Sequence, residues 1–247
     1  MKKTPHLLGL LIFLILATGL FYIVWVLIRH QYDWAAIRPY WQNLLSGWGH
    51  TAAVSSGALI LSVIFGAFLT IGQLSPFLPA KILARGYIEF IRGVPFLVLI
   101  LVGYYIVADS MGWDNRLSFG IVIMALFSGA YLSEIFRAGV ESIPQSQWLS
   151  ARAIGLSPRQ TFLEIVIPQA VRRVLPASAG QFANLIKDSS LLYLISVPEF
   201  FMQARGVNAK SYATFEAYLP LVIGYLALTF PISLWSRHLE RKFGFDQ

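Results

Sequence analysis

The chain has no cysteine among its 247 residues, which excludes disulfides and thiolate metal sites and leaves redox compartment without a signal. Charge is also scarce. Only 13% of residues are charged while 57% are hydrophobic, and a soluble domain of this size usually carries about twice that charged fraction. The four histidines, His6, His30, His50 and His238, lie far apart in sequence, and none has a partner at metal-ligand spacing. No phosphate-cradling glycine loop of the Walker type occurs, and no nucleophile elbow. A membrane-embedded enzyme would need a catalytic constellation that is absent. If ATP is used, another chain must bind it.

What the chain does have is long apolar runs. A helical span needs about 20 mostly apolar residues. Leu7–Ile28 contains no charge, and neither does Pro39–Ala80, whose membrane part Pro76 and Pro79 trim to about Trp48–Gln73. Gly93–Ala108 and Leu117–Ser133 are short and clean, Val174–Ile195 is interrupted by Lys187-Asp188, and Ala217–Ser236 lies between Glu216 and Arg237. The expectation is an all-α polytopic membrane protein of about six transmembrane helices. With the N-terminus in the cytoplasm, Lys2 and Lys3, the loop bearing Lys81, Arg85 and Arg92, the loop bearing Arg137, Arg152, Arg159, Arg172 and Arg173, and the tail with Arg237, Arg241 and Lys242 all fall inside. Arg29, Arg38, Arg116, Arg205 and Lys210 fall outside, so the positive-inside rule favours two cytoplasmic termini. That bias and anionic membrane lipids account for the net charge of +7 without nucleic acid. Ala17-Thr18-Gly19 resembles a signal-peptidase site, yet Leu20–Ile28 continues apolar, which predicts an uncleaved first helix. The organisation expected is an N-terminal helix and external loop over 1–44, a transmembrane domain over 45–243 and a cytoplasmic tail over 244–247.

The stretch "WLSARAIGLSPRQTFLEIVIPQA" (148–170) is too polar to span and too regular for a slack loop. Pro144 opens a helix at its first turn, and Gly155 closes it in the left-handed conformation that glycine adopts cheaply. Ser157-Pro158-Arg159-Gln160 then reads as a second start with a capping box, and Pro168 is expected to stop that second helix. Trp148, Leu149, Ala151 and Ile154 give the first helix an apolar surface, suited to docking onto a partner or to interfacial anchoring.

Three other features carry chemistry. Gln181, Asn184 and Asp188 recur at three- and four-residue spacing with Lys187 alongside, so one stripe of the fifth span is polar. Such residues line a wet cavity or pair with each other near a helix break. Gln181, Asn184 and Tyr131 together offer donors for a carboxylate and acceptors for an ammonium group. Arg92-Gly93-Val94-Pro95 marks a bend, because Pro95 disfavours helix at Val94; Arg92 either snorkels toward headgroups or belongs to a hinge. Glu134 and Arg137, three apart on one helix, can pair.

The 148–170 loop resembles the EAA pattern of bacterial ABC importer permeases: Ala151, Gly155, Ile165 and Pro168 fall at matching spacing, with Ile167 in place of leucine. "YIEFIRGVPFLV" (87–98), "SGAYLSEIFRAGVESIP" (128–144), "IKDSSLLYLISVPEF" (186–200) and "RHLERKF" (237–243) look like the polar amino acid uptake subfamily. The similarity covers about Leu45–Phe243. It implies the type I importer permease fold in the bacterial inner membrane, and a coupling helix at Trp148–Gly155 with Pro168 at the end of its motif. It further implies a cytosolic ABC ATPase subunit that binds ATP and Mg, an extracytoplasmic solute-binding protein, a second permease subunit, identical or not, and an amino acid substrate. The chain itself would bind no cofactor and no metal. Leu149 and Ser150 replace the pattern's glutamate and first alanine, so a charged contact to the ATPase is lost. A secondary carrier or channel for small polar solutes would need its own coupling-ion site, commonly within inverted repeats, and the chain shows neither.

Overall fold

The structure, a computed structural model, describes residues 4–29 and 32–243. Lys2, Lys3, His30 and the 244–247 tail lie outside the described residues. Helices α1 (Thr4–Arg29), α2 (Trp34–Ile37) and α3 (Trp41–Leu74) come first, with a 3-10 turn at Arg38–Tyr40 between the last two. Helix α4 (Leu78–Gly93) and α5 (Phe96–Val102, extended by a π turn at Gly103–Ala108) follow, then α6 (Arg116–Glu141), α7 (Gln145–Ala153) and α8 (Pro158–Gln160). A π turn at Thr161–Val166 leads into α9 (Ile167–Asp188), a 3-10 segment Ser189–Ile195, α10 (Phe200–Ser211) and α11 (Thr214–Phe243). The described residues contain no strand.

Among the described residues, four helical stretches are long and apolar enough to cross a membrane: Gly9–Val26, Trp34–Leu74, Arg116–Glu141 and Thr214–Phe243. Leu78–Gly93 with Phe96–Ala108 makes a fifth only if the pair, bent by 105°, is one span. The bend falls at the expected place: Gly93 ends α4, Val94 is extended, and Pro95 caps α5. By length and apolarity alone, four or five of the expected six spans qualify among the described residues. Helix α9, expected as a full span, is not apolar enough to qualify, because it carries Arg172, Arg173, Lys187 and Asp188 along with its polar stripe. It is held in the bundle by α6 and α11 rather than by its own hydropathy.

The centre of the bundle is the parallel pair α3 and α6, which share the most extensive contact in the molecule. Between apolar helices in lipid there is no hydrophobic drive to associate, so close packing and interhelical hydrogen bonds must hold them. Both are present. A Cβ on Gly66 would lie 3.0 Å from the Gly129 carbonyl oxygen and 3.0 Å from the Leu132 Cβ, and one on Gly129 2.8 Å from the Phe65 ring. The Thr70 hydroxyl, buried, donates to the Ser133 carbonyl at 3.1 Å, and Gln73 reaches the Ser133 hydroxyl at 3.5 Å. Helix α4 adds Ala84, Ile88 and Ile91 to the core beside this pair, and α9 meets α6 where Gly139 admits Val174. At the end of the bundle where α10 lies, Phe200, Ala204 and Val207 pack with Leu44, Ala217 and Leu221. The opposite end carries α7.

Pro168 does not stop a helix. It sits in the first turn of α9, and the chain remains helical from Pro158 to Asp188. A proline removes one N–H and crowds the carbonyl four residues back. The π turn absorbs the change of register: the Ile167 N–H donates to Phe162, five residues back, and the helix runs on.

Widening Gly66 should separate α3 from α6. Gly66→Leu is expected to cost about 1–3 kcal/mol, the usual range for overpacking, and to lower the thermal midpoint of the purified protein. Gly86→Leu, where a Cβ meets nothing within 4 Å, should leave the midpoint in place. Equal midpoints for both variants would show that the α3–α6 approach is not limiting.

Candidate functional site

Helix α7 is built by local chemistry. Pro144, with φ −57° and ψ 142°, is the cap rather than the first helical residue, so α7 starts one residue later than expected, at Gln145. Gly155 at φ +84° turns the chain out of it, and the Leu156 N–H returns to the Ala151 carbonyl at 3.1 Å. Ser157 and Gln160 form the anticipated reciprocal capping box, with the Ser157 N–H donating to Oε1 of Gln160 at 3.0 Å and the Gln160 N–H to the Ser157 hydroxyl at 3.3 Å. The turn that leads into α7 from α6 is held by Arg173, which donates to the Ser142 carbonyl at 2.6 Å and to its hydroxyl at 3.0 Å. A guanidinium on a terminal carbonyl is a favourable end for a helix, and here it ties α9 to the residue that leaves α6.

The apolar residues of α7 divide. Leu149 is 62% exposed and Ile154 77%. Trp148 is half-buried, and a shallow recess of about 310 Å³ opens between Gln145, Trp148, Leu149 and Arg152. Ala151 is buried against its own chain, and Pro168 lies beyond the π turn on α9. The outward surface is therefore Trp148, Leu149 and Ile154; Ala151 supports it from behind.

The polar stripe of α9 also divides. Gln181 donates to the Ser128 hydroxyl of α6 at 3.4 Å and is half-buried. One turn along α6 from Ser128, the Tyr131 ring leans on Phe127 with centroids 5.0 Å apart. Asn184 and Lys187 instead project from the protomer, and Ala177, Gly180, Asn184 and Lys187 make one exposed line along α9. The side chains of Asn184 and Lys187 make no hydrogen bond to another described residue, the Lys187 carbonyl alone accepting from the Ser190 hydroxyl at 2.8 Å, and Lys187 forms no ion pair with Asp188, which is half-buried where α9 gives way to the 3-10 segment. The stripe and Tyr131 thus border one side of the α6–α9 contact, with Gln181 as the link.

A second polar centre lies nearer α7. Glu134 and Arg137 pair twice, Arg137 Nη2 to Glu134 Oε2 at 3.0 Å and Nε to Oε1 at 3.1 Å. Arg92, from the last turn of α4, joins Glu134 Oε2 at 3.3 Å and lies over the Tyr131 ring, 5.7 Å from its centroid. Arg137 also reaches Glu141. The intrahelical pair was legible from its spacing; the bond to Arg92, 42 residues away, was not.

Glu199 lies within the 186–200 block with no role legible from the sequence, yet it is fully buried. Its carboxylate caps α10, accepting from the N–H groups of Phe201 at 2.8 Å and Met202 at 2.6 Å, and it accepts from the Tyr225 hydroxyl of α11 at 3.1 Å. The Phe200 N–H donates to the Thr51 hydroxyl of α3 at 3.1 Å. An acid at the start of a helix is a readable cap; that it also ties α10 to α11 through Tyr225 depends on packing. Among the described residues no group of His, Cys, Asp and Glu is placed to hold a metal.

Gly155→Val places a β-branched side chain at positive φ, a strain of about 1–3 kcal/mol. No neighbour lies within 4 Å of a Cβ there, so any effect comes from the backbone alone. The variant should insert and assemble its spans normally while amide exchange accelerates across Gln145–Ala153. Unchanged exchange would mean that the corner does not depend on the glycine.

Comparison with known proteins fits this arrangement. Residues 62–245 match the family model of the binding-protein-dependent transport system inner membrane component. The chain is 31% identical over 198 residues to the probable glutamine ABC transporter permease protein GlnM of Bacillus subtilis (strain 168), covering 80% of this chain and 92% of that protein. It is 32% identical over 219 residues to the glutamine transport system permease protein GlnP of Escherichia coli (strain K12), covering 86% and 98%. Among solved structures, a chain from the crystal structure of an amino acid ABC transporter with histidines superposes with a TM-score of 0.79 at 28% identity, over 86% of this chain and all of that one. The fold alone is shared with an inward-facing MetNI methionine ABC transporter, at a TM-score of 0.69 and 16% identity over 83% and 98%. The chain belongs to the family of inner-membrane components of binding-protein-dependent transport systems, as a multi-pass permease subunit.

Proposed function

We propose that this permease conducts an amino acid across the inner membrane, that its exposed α9 stripe lines the path, and that α7 is the helix through which a separate ATPase subunit drives it. The substrate class rests on relatives named for glutamine and for glutamate/aspartate. The observation that carries the path is the line Ala177, Gly180, Asn184 and Lys187, polar or small yet exposed along a helix held inside a membrane bundle. Lipid is a poor surrounding for an ammonium group and an unpartnered amide, so this face meets water, substrate or a second permease subunit. Two permeases related by a two-fold axis would enclose one path between such faces, whether identical or not. Gln181, Asn184 and Tyr131 then offer hydrogen bonds to both ends of a zwitterion, with Lys187 and Asp188 toward the α10 end.

At the α7 end, Trp148, Leu149 and Ile154 form the apolar patch of an otherwise polar helix. In this reading ATP and Mg are bound by the ATPase subunit, and none of the described residues is a cofactor ligand. A solute-binding protein delivers substrate at the α10 end, both termini are cytoplasmic, and the translocating domain is 45–243. Docking would depend more on apolar contact than on an ion pair, since Leu149 stands where the family pattern has a glutamate.

Three measurements follow. In vesicles holding the complete transporter, Asn184→Leu should reduce amino acid uptake while the ATPase subunit still copurifies; wild-type uptake would reduce the stripe to packing. Ile154→Asp, which desolvates a charge without a partner, should instead weaken ATPase copurification, and undiminished assembly would return α7 to the role of a surface anchor. Reporter fusions at Val207 and at Gln247 should report opposite sides of the membrane, and the same side for both would overturn the topology.

A further inference from the structure

The charged cluster on α6 contains one bond that its local geometry does not require. Glu134, Arg137 and Glu141 pair along a single helix at three- and four-residue spacing, and such pairs form wherever the sequence permits. Arg92 is different. It comes from another element, its side chain is 47% exposed, and it meets Glu134 at 3.3 Å. An ion pair this open adds little to stability, and α4 is already seated by Ala84, Ile88 and Ile91. What the bond fixes is position. Arg92 is in the final turn of α4, two residues before Val94 and Pro95, where the span bends by 105°. Glu134 lies two turns before the end of α6, and only Ser142, Ile143 and Pro144 separate that end from α7. Arg173 holds Ser142 in the connecting turn.

We propose that Glu134 is a positioning residue: by holding Arg92 on one side and Arg137 on the other, it makes the foot of the bent span move as one body with the α6–α7 corner. Displacement of α7 is then delivered to the bend between α4 and α5, and so to the start of α5. The Tyr131 ring lies under the Arg92 guanidinium, which places the strut beside the α6 face that also meets Gln181 through Ser128. Gln73, Arg85 and Glu89 line the same recess, of about 260 Å³; none of them bridges α4 to α6 through an ion pair among the described residues. The strut stays closed through the cycle, which separates it from a gate that must open. The inference rests on the ATPase-driven reading above.

The test is uptake per ATP hydrolysed in vesicles containing the complete transporter. Arg92→Gln and Glu134→Gln should each lower that ratio about fivefold or more, the lower end of ordinary coupling between sites, with basal ATP hydrolysis and assembly retained. The double variant should be no worse than the more severe single one, because both remove one connection. Arg92→Lys should keep most of the coupling. The cysteine-free chain supplies a stricter test, usable even if a glutamine variant assembles poorly. Arg92→Cys/Glu134→Cys should be uncoupled when reduced and regain coupling when joined by a thiol-reactive linker as long as the two side chains. A linker that blocks uptake would identify a gate and overturn the strut; additive losses, or unchanged coupling in the single variants, would overturn it as well. Absence of binding-protein-dependent uptake in the wild-type vesicles would sink the importer reading instead.

Discussion

Helices α3 and α6 approach closely because neither Gly66 nor Gly129 has a side chain at the crossing. Apolar residues gain nothing by moving from lipid to another apolar helix, so the pair depends on dispersion at short range and on the hydrogen bonds from Thr70 and Gln73 to Ser133. The rest of the bundle uses this pair as its frame. Helix α4 packs beside it, α9 enters against α6 where Gly139 leaves room for Val174, and α10 is tied to α3 through Thr51. A helix as polar as α9 is retained in the bundle because α6 and α11 cover its buried side, which frees the other side to be polar.

That division gives α6 two kinds of work. Its middle, through Ser128 and Tyr131, borders the polar stripe of α9; its end, through Glu134 and Arg137, meets Arg92 before the chain turns into α7. The contact with Gln181 and the turn into α7 therefore lie on one helix, about four turns apart. No flexible linker intervenes, and the turn between α6 and α7 is pinned by Arg173.

Features governed by a few neighbouring residues were legible in the sequence. Gly155 at the corner, the Ser157–Gln160 box and the break before Pro95 all follow from backbone chemistry within four residues. The family was legible because its motifs are ordered along most of the chain. Features that depend on tertiary context were not. Pro168 reads as a stop, and only the π turn before it lets the helix continue. Ala151 belongs to the same apolar set as Leu149 and Ile154, yet a helix of nine residues can turn one of them inward without violating any pattern. Glu199 shows no local sign of being buried between α10 and α11. Spacing placed Gln181, Asn184 and Asp188 on one stripe, but which of them face α6 and which face outward is decided by how α9 is packed.

The account turns on whether the exposed apolar face of α7 is covered by an ATPase subunit. Since the chain has no cysteine, Ile154→Cys supplies a unique thiol at its most exposed apolar position. The direct measurement is the labelling rate of that thiol by a membrane-impermeant maleimide, in inverted vesicles with and without the ATPase subunit bound. The account predicts rapid labelling of the permease alone and strong protection when the ATPase is present. Equal rates in the two preparations would contradict it.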